Sequence, residues 1–278
     1  MSVKAYRPTT PGQRGMTTQD NSMITAKKPI KSLVRVNKSK AGRNNTGRIT
    51  VRHRGAGVKK FYRIVDFNLA NGTKATVEAI EYDPNRSARI ARIKDDKGNY
   101  NYVIAGATMK VGQKIESGDK AAIELGNRLS LEIIPEGSSI YNIELNPGRG
   151  GQMVRSAGAS AQLMAKDNGY AQIRLPSGEV RTVNLKCKAN VGVVGNEQHQ
   201  NVKIGKAGRR RRQGWRPSVR GKAMNAVDHP HGGGDGGAHG VGRNPKTPWG
   251  QPTLGYKTRR RKDTDKYIIR KRQEAKRR

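Results

Sequence analysis

Alternation of apolar and polar positions is concentrated in the middle of the chain. Residues 60–68 (KFYRIVDFN) are rich in aromatic and β-branched side chains and predict a strand; 75–82 (ATVEAIEY) predict a second. The DPNRS string at 83–87 reads as a turn, because proline sets one φ while Asp and Asn tolerate turn geometry. Residues 88–94 return as a strand and DDKG at 95–98 turns again. Residues 99–105 follow with Tyr100, Tyr102 and Ile104 on one face. A second set starts at 129–134 and 140–145, where Leu129, Leu131 and Ile133, then Tyr141, Ile143 and Leu145, occupy every second position. Asp167-Asn168-Gly169 predicts a tight hairpin, since Asn-Gly suits left-handed turn positions. Residues 170–175 and 180–185 flank a second hairpin loop, PSGE at 176–179. Short strands with turn signals about every 8–12 residues predict a mainly β fold, with two small barrels or sandwiches inside 61–200.

The two ends lack this period. Pro8, Pro11 and Pro29 interrupt an N-terminal segment of small polar and basic residues that cannot bury enough apolar surface to fold alone. From about Gly205 the chain is Gly, Pro and Arg with isolated Trp215 and Trp249. A compact domain does not hold a structureless stretch of roughly 50 residues, so this part reads as an extension. Residues 263–278 predict a short basic helix. The expected organisation is an N-terminal arm at 1–60, one barrel at 61–124, a second at 125–200 and a C-terminal extension at 201–278.

Charge follows the same division. Of 278 residues, 56 are Lys or Arg and 21 are Asp or Glu, a net charge of +35. Residues 1–60 hold 15 basic residues and one acid, Asp20; 205–278 hold 22 and five; 61–204 hold 19 and 15. A nearly neutral middle therefore carries two strongly basic ends, which repel one another unless a polyanion neutralises them. The plain reading is two disordered, solvated tails; the favoured one is two arms neutralised by nucleic acid, each phosphate paired with Lys or Arg releasing counterions. A membrane surface would ask for an amphipathic helix with a Leu or aromatic face, and neither end has that period. No run reaches the roughly 18–20 apolar residues of a membrane span. Residues 1–15 lack the apolar segment of a secretory signal. A single cysteine, Cys187, excludes an internal disulfide framework, fits a reducing compartment and reads as a small buried apolar residue.

Four arginine-rich clusters stand out: Arg52-His53-Arg54, Lys59-Lys60, 209–212 (RRRR) and 259–262 (RRRK). Arginine is planar and forked, so it clamps phosphate with two bonds and stacks on bases. Trp215, Trp249 and Tyr256 could stack on unpaired bases, or one or both tryptophans anchor the extension onto the barrel; the sequence leaves this open. Gly148-Arg149-Gly150-Gly151 is a tight turn that either offers backbone N–H groups to phosphate or forms a barrel corner. The DHPHGGGDGG stretch at 228–237 concentrates catalytic residue types. His229 could serve as a general base, or bind a metal with His231, His239 and Asp235. No nucleophile with an orienting acid accompanies it, Gly-rich backbone is a poor scaffold for fixed geometry, and no paired Cys supports zinc. Gly232, Gly234 and Gly237 formally match G-x-G-x-x-G, but no strand precedes and no helix follows.

Longer strings are more specific. AGRNNTGRITVRHRGAGVKKFYRIVDF (41–67) resembles the N-terminal signature of the universal large-subunit ribosomal protein L-two family. So do EAIEYDPNRSARIARI (78–93), the segment 142–181 and VGNEQHQN (194–201). The most specific are VRGKAMNAVDHPHGGGDG (219–236) and TPWGQPTLGYKTR (247–259). The resemblance, to the bacterial type, covers nearly the whole chain. It departs from the family pattern at Tyr141, where His is usual, in RRRRQGW, where an Arg stands at a common Trp position, and at Ala226, where Pro is usual.

The resemblance implies an OB-fold-like barrel followed by an SH3-like barrel, with long basic irregular N- and C-terminal extensions. It implies binding to large-subunit ribosomal RNA, support of the peptidyl-transferase region and a part in subunit association. Neighbouring ribosomal proteins and the small subunit are the further expected partners, in the cytoplasmic ribosome; no membrane or small-molecule substrate is expected. The RNA-contacting positions carry over as Arg43, Arg48, Arg52, His53, Arg54, Arg86, Arg155, Arg216, Arg220, His229, His231 and Arg243. No resident cofactor or metal is expected, magnesium associated with the ribosomal RNA being compatible with the reading. The chain is read as a non-enzyme. Alternatives are a His229-assisted acyl (peptidyl) transferase and a free RNA chaperone.

Overall fold

A computed structural model of the chain describes residues 3–234 and 244–272. The chain divides into two compact units, each described by itself. Residues 3–38, 59–207 and 264–272 make the first, and 39–58, 208–234 and 244–263 the second.

The first unit is mainly β structure, with short 3-10 turns between strands. β1 (Val3–Ala5) and β2 (Thr17–Gln19) form an antiparallel pair. β3 (Val34–Asn37) and β4 (Lys60–Arg63) form another. β5 (Lys74–Glu81), β6 (Ile90–Asp95), β7 (Tyr100–Ile104) and β8 (Lys114–Glu116) build an antiparallel sheet in the order β7-β6-β5-β8. Along β5, Ala75, Val77 and Ala79 turn inward while Lys74, Thr76 and Glu78 face solvent, the period of a half-buried strand. A bulge between Val77 and Ala79 adds local twist. Leu69, Val77, Ala91, Ile93, Met109 and Ile115 fill the interior.

β9 (Arg128–Ser130), β10 (Ser139–Tyr141), β11 (Ala161–Asp167), β12 (Tyr170–Arg174), β13 (Val180–Asn184), β14 (Lys188–Val191) and β15 (Ile268–Arg270) build the larger sheet. Its order is β15-β13-β12-β11-β10-β14-β9. It surrounds an apolar core that includes Leu129, Leu131, Ile140, Leu163, Ile173 and Val183. Asn168 (φ 48°) and Gly169 (φ 81°) both take left-handed backbone in the β11–β12 hairpin, as the Asn-Gly signal predicts. Tyr102, Ile90, Ile104, Tyr141 and Val194 form a third core where the two sheets meet. The fold is mainly β with several sheets, in agreement with the OB-plus-SH3 expectation.

Several elements differ in extent from the pattern-based reading. The strand expected over 60–68 ends at Arg63, and those over 129–134 and 140–145 end at Ser130 and Tyr141. After Ser130 the chain turns tightly, Ile133 and Ile134 both donating to the Ser130 carbonyl, so Leu131 and Ile134 are buried instead of strictly alternate positions. In the described part of the expected C-terminal helix the chain forms a 3-10 turn, Asp265–Tyr267, followed by β15, which pairs with β13; residues 273–278 of that expectation lie outside the described residues. Backbone bonding to a sheet edge outcompetes a one-turn helix with no apolar stripe to bury. Residues 207–212, where the period is lost, form the short helix α1 (Ala207–Arg212).

Glu144 closes the corner made by 148–151. Its carboxylate accepts the N–H groups of Gly148 (3.2 Å), Gly150 (3.2 Å) and Lys188 (3.1 Å) and pairs with Arg128 at 2.8 Å. Those glycine amides therefore serve the corner. The N-terminal segment is sewn to the first unit at discrete points. Thr17 and Lys203 exchange hydrogen bonds, as do Thr25 and Ile80. The buried Arg89 donates to the Asp20 carbonyl (3.1 Å) and Asn21 Oδ1 (2.8 Å).

Candidate nucleic-acid interface

In the first unit two arginines converge on one ring. Arg86 is oriented by Asp83, a fully buried carboxylate whose Oδ2 accepts from Nε at 2.6 Å. Asp83 is itself positioned by the Asn85 N–H at 2.8 Å, the turn the DPN string predicts. The Arg86 guanidinium lies 5.5 Å from the Phe67 ring centroid and that of Arg155 lies 4.5 Å away. Arg155 also donates to the Gly151 carbonyl at 3.2 Å. The aromatic partners Phe67 and Tyr62 are absent from the expected site residues. Their signal is the clustering of aromatic residues in 60–68, read there as strand propensity alone.

In the second unit the arms 39–58 and 208–216 run together. Arg54 and Trp215 form a backbone bridge, Gly55 N–H donates to the Gly214 carbonyl (2.9 Å) and Val58 N–H to that of Arg212 (2.8 Å). His53 accepts the Arg216 N–H at its carbonyl (3.0 Å) and donates through Nδ1 to the Pro217 carbonyl (3.1 Å). The Arg54 guanidinium lies 3.8 Å from the half-buried Trp215 ring, with that of Arg210 at 5.5 Å. Gly57, at φ 64°, meets this backbone so closely that a Cβ would sit 2.6 Å from the Arg212 oxygen. Arg43 and Arg48 lie exposed on the turn 42–51. There Asn44 Oδ1 accepts the Arg48 N–H at 3.0 Å, and Gly42 takes φ 76° against Val51. Trp215 thus ties 208–216 to 39–58 within this unit.

The histidine loop is compact. His229 is buried at 8% exposure, with its ring 4.8 Å from that of His231. Its Nδ1 accepts the His231 N–H at 3.0 Å, and His231 Nε2 accepts the Lys246 N–H at 2.8 Å. A Cβ on Gly221 would sit 2.5 Å from the His229 ring, so that glycine makes room for the imidazole. Each ring therefore spends a lone pair on backbone. Arg220 leads into this glycine and its carbonyl accepts the Ala223 N–H at 2.9 Å. Among the described residues no group of His, Cys, Asp and Glu could hold a metal. Arg243, Asp235 and His239 lie outside the described residues.

The ion pairs Lys74–Glu116, Arg86–Asp83, Arg92–Glu78, Arg92–Glu81 and Arg128–Glu144 all fall within residues 74–144. Among the described residues none supplies a carboxylate to Arg43, Arg48, Arg52, Arg54, Arg216 or Arg220. These cations are set out on turns and aromatic faces with their charge unneutralised, the electrostatic footprint of nucleic-acid binding.

A mainly β protein bearing such guanidinium groups has the features of a nucleic-acid-binding protein. The comparison with protein families makes this specific. Residues 30–117 match the family model described as Ribosomal Proteins L2, RNA binding N-terminal domain, and 124–250 match Ribosomal Proteins L2, C-terminal domain. The chain belongs to the ribosomal protein L2 family, structural RNA-binding constituents of the large ribosomal subunit.

Proposed function

We propose that this chain stabilises large-subunit ribosomal RNA around the peptidyl-transferase region and contributes to subunit association in the cytoplasmic ribosome. In this reading 61–124 and 125–200 are the rigid bodies, and 1–60 and 201–278 reach the RNA. Arg43, Arg48, Arg52, His53, Arg54, Arg86, Arg155, Arg216, Arg220, His229, His231 and Arg243 are the contacting positions. The observation that carries it is that, among the described residues, no carboxylate pairs with Arg43, Arg48, Arg52, Arg54, Arg216 or Arg220. Small-subunit and neighbouring-protein contacts rest on the resemblance of the motif strings. The role needs no resident cofactor.

The reading is non-enzymatic. A general base needs a free lone pair within reach of a substrate proton, and His229 Nδ1 is occupied by the His231 amide. The buried ring shapes the loop, and this position would meet RNA through the loop's backbone rather than through a free imidazole nitrogen. Large subunits reconstituted with His229→Gln are expected to form peptide bonds at the wild-type rate, with no change in pH dependence near neutrality. A large loss of rate in particles of normal composition would restore the catalytic alternative. Retention of the wild-type protein on large subunits through a moderate salt wash separates a resident component from a free RNA chaperone, which would be stripped.

A further inference from the structure

Trp249 is placed differently from Trp215. It sits at the tip of a short turn over residues 245–253 that is closed at every level. Thr247 N–H donates to the Gln251 carbonyl (2.8 Å), Gly250 N–H to that of Thr247 (2.9 Å), and Gln251 N–H to Thr247 Oγ1 (3.2 Å). Lys246 and Pro252 form a backbone bridge, and Thr253 donates through both N–H and Oγ1 to the Pro245 carbonyl at 2.9 Å. Gly250 takes φ 80°, the left-handed backbone that lets the chain reverse behind the ring. The base of the turn is tied to the histidine loop by the Lys246 N–H to His231 Nε2 bond.

The ring held so firmly is 78% exposed. A single exposed aromatic is common on protein surfaces, but one on a fixed turn presents a π-face that a planar ligand can cover. One group already stands near it: the Arg52 guanidinium lies 5.6 Å from the ring centroid. Within the described residues of this unit the charges are overwhelmingly basic, with Asp228 and Asp263 the acids, so the missing cover is anionic or attached to an anion. An aromatic face beside an arginine is the elementary unit of single-stranded nucleic-acid binding: the ring takes a base and the cation takes its phosphate.

We propose that Trp249 and Arg52 form a stacking site for one unpaired RNA base, Arg52 pairing with the phosphate attached to it. Any base serves, because every base has a π-face. The proposal rests on the RNA-binding reading above and deepens it by assigning a residue-level ligand.

The test uses the full-length protein and large-subunit ribosomal RNA, with binding followed by sedimentation. The difference in tryptophan fluorescence between wild type and Trp249→Phe isolates the signal of Trp249 from that of Trp215. Stacking predicts that this signal is strongly quenched on RNA binding. Trp249→Ala is expected to weaken binding by about 5- to 150-fold, the range a lost base stack spans, with Trp249→Phe recovering much of it. Binding of normal strength by Trp249→Ala, together with an unchanged Trp249 signal, would overturn the stacking site and leave the RNA-binding reading intact. A signal that changes only when other large-subunit proteins are added would assign the ring to a protein partner and overturn the site equally. Absence of any RNA binding by the wild-type chain would remove both readings.

Discussion

Arginine does two kinds of work in this chain, and environment separates them. Arg128 and Arg89 are buried, and the cost of dehydrating a cation holds both pKa values below the ordinary arginine range. Arg128 is compensated by Glu144, the Asn142 carbonyl and Asn190, and it ties the corner at 144–151 to the second sheet. Arg43, Arg48 and Arg216 are exposed and are left to meet phosphate. His199 lies beside Gln19, where the N-terminal segment meets the first unit. Partial dehydration of this otherwise exposed ring first, and then the Arg89 guanidinium, hold its imidazole below the ordinary value of 6.5. The folded state thus favours neutral His199. Its stabilising contribution is present above 6.5 and is lost as pH falls through the lower folded value. Thermal melts from about pH 7 down to about pH 5 are expected to show wild type losing stability more steeply than His199→Gln. Parallel pH profiles for the two proteins would refute the assignment.

At the scale of elements, glycine positions decide whether the RNA-facing turns exist. Gly42 combines φ 76° with a site where a Cβ would overlap the Val51 carbonyl oxygen. Gly42→Ala is therefore expected to open the 42–51 turn and weaken RNA binding roughly tenfold, while the melting temperature of the β body stays within about 1–2 °C of wild type. Equal loss of both would show that the turn is part of the core. The elements legible from sequence are those with local partners: β5, β6 and β7, and the hairpins carried by Asn168-Gly169 and the PSGE loop, whose pairing partners lie a few residues away. β15 is illegible because its partner, β13, is distant in sequence and its own three residues carry no period. Three-residue strands such as β1 and β2 are illegible because so short a segment carries no period, although each has its partner nearby. The candidate site is legible as residue types. Arg52, His53, Arg54 and Arg216 do come together, but the aromatic faces that orient Arg86 and Arg155 are hidden because Tyr62 and Phe67 also satisfy a strand pattern. The lone pair that disqualifies His229 as a base is a backbone contact, which residue identity does not encode.

For the whole molecule, the charge distribution is the central fact. A chain with net charge +35 has a nearly balanced β body, and among the described residues no carboxylate pairs with Arg43, Arg48, Arg52, Arg54, Arg216 or Arg220. In water they repel, and on RNA each releases counterions when it meets a phosphate. The most direct measurement is the dependence of affinity for large-subunit ribosomal RNA on salt, for wild type and for the triple variant Arg43→Gln, Arg48→Gln, Arg216→Gln. All three side chains are exposed, so the folded units are retained. The account predicts a steep negative slope of log affinity against log salt for wild type, shallower by about two in the variant, since each lost phosphate contact removes roughly 0.7–0.9. Identical slopes for the two proteins, or a wild-type affinity indifferent to salt, would contradict it.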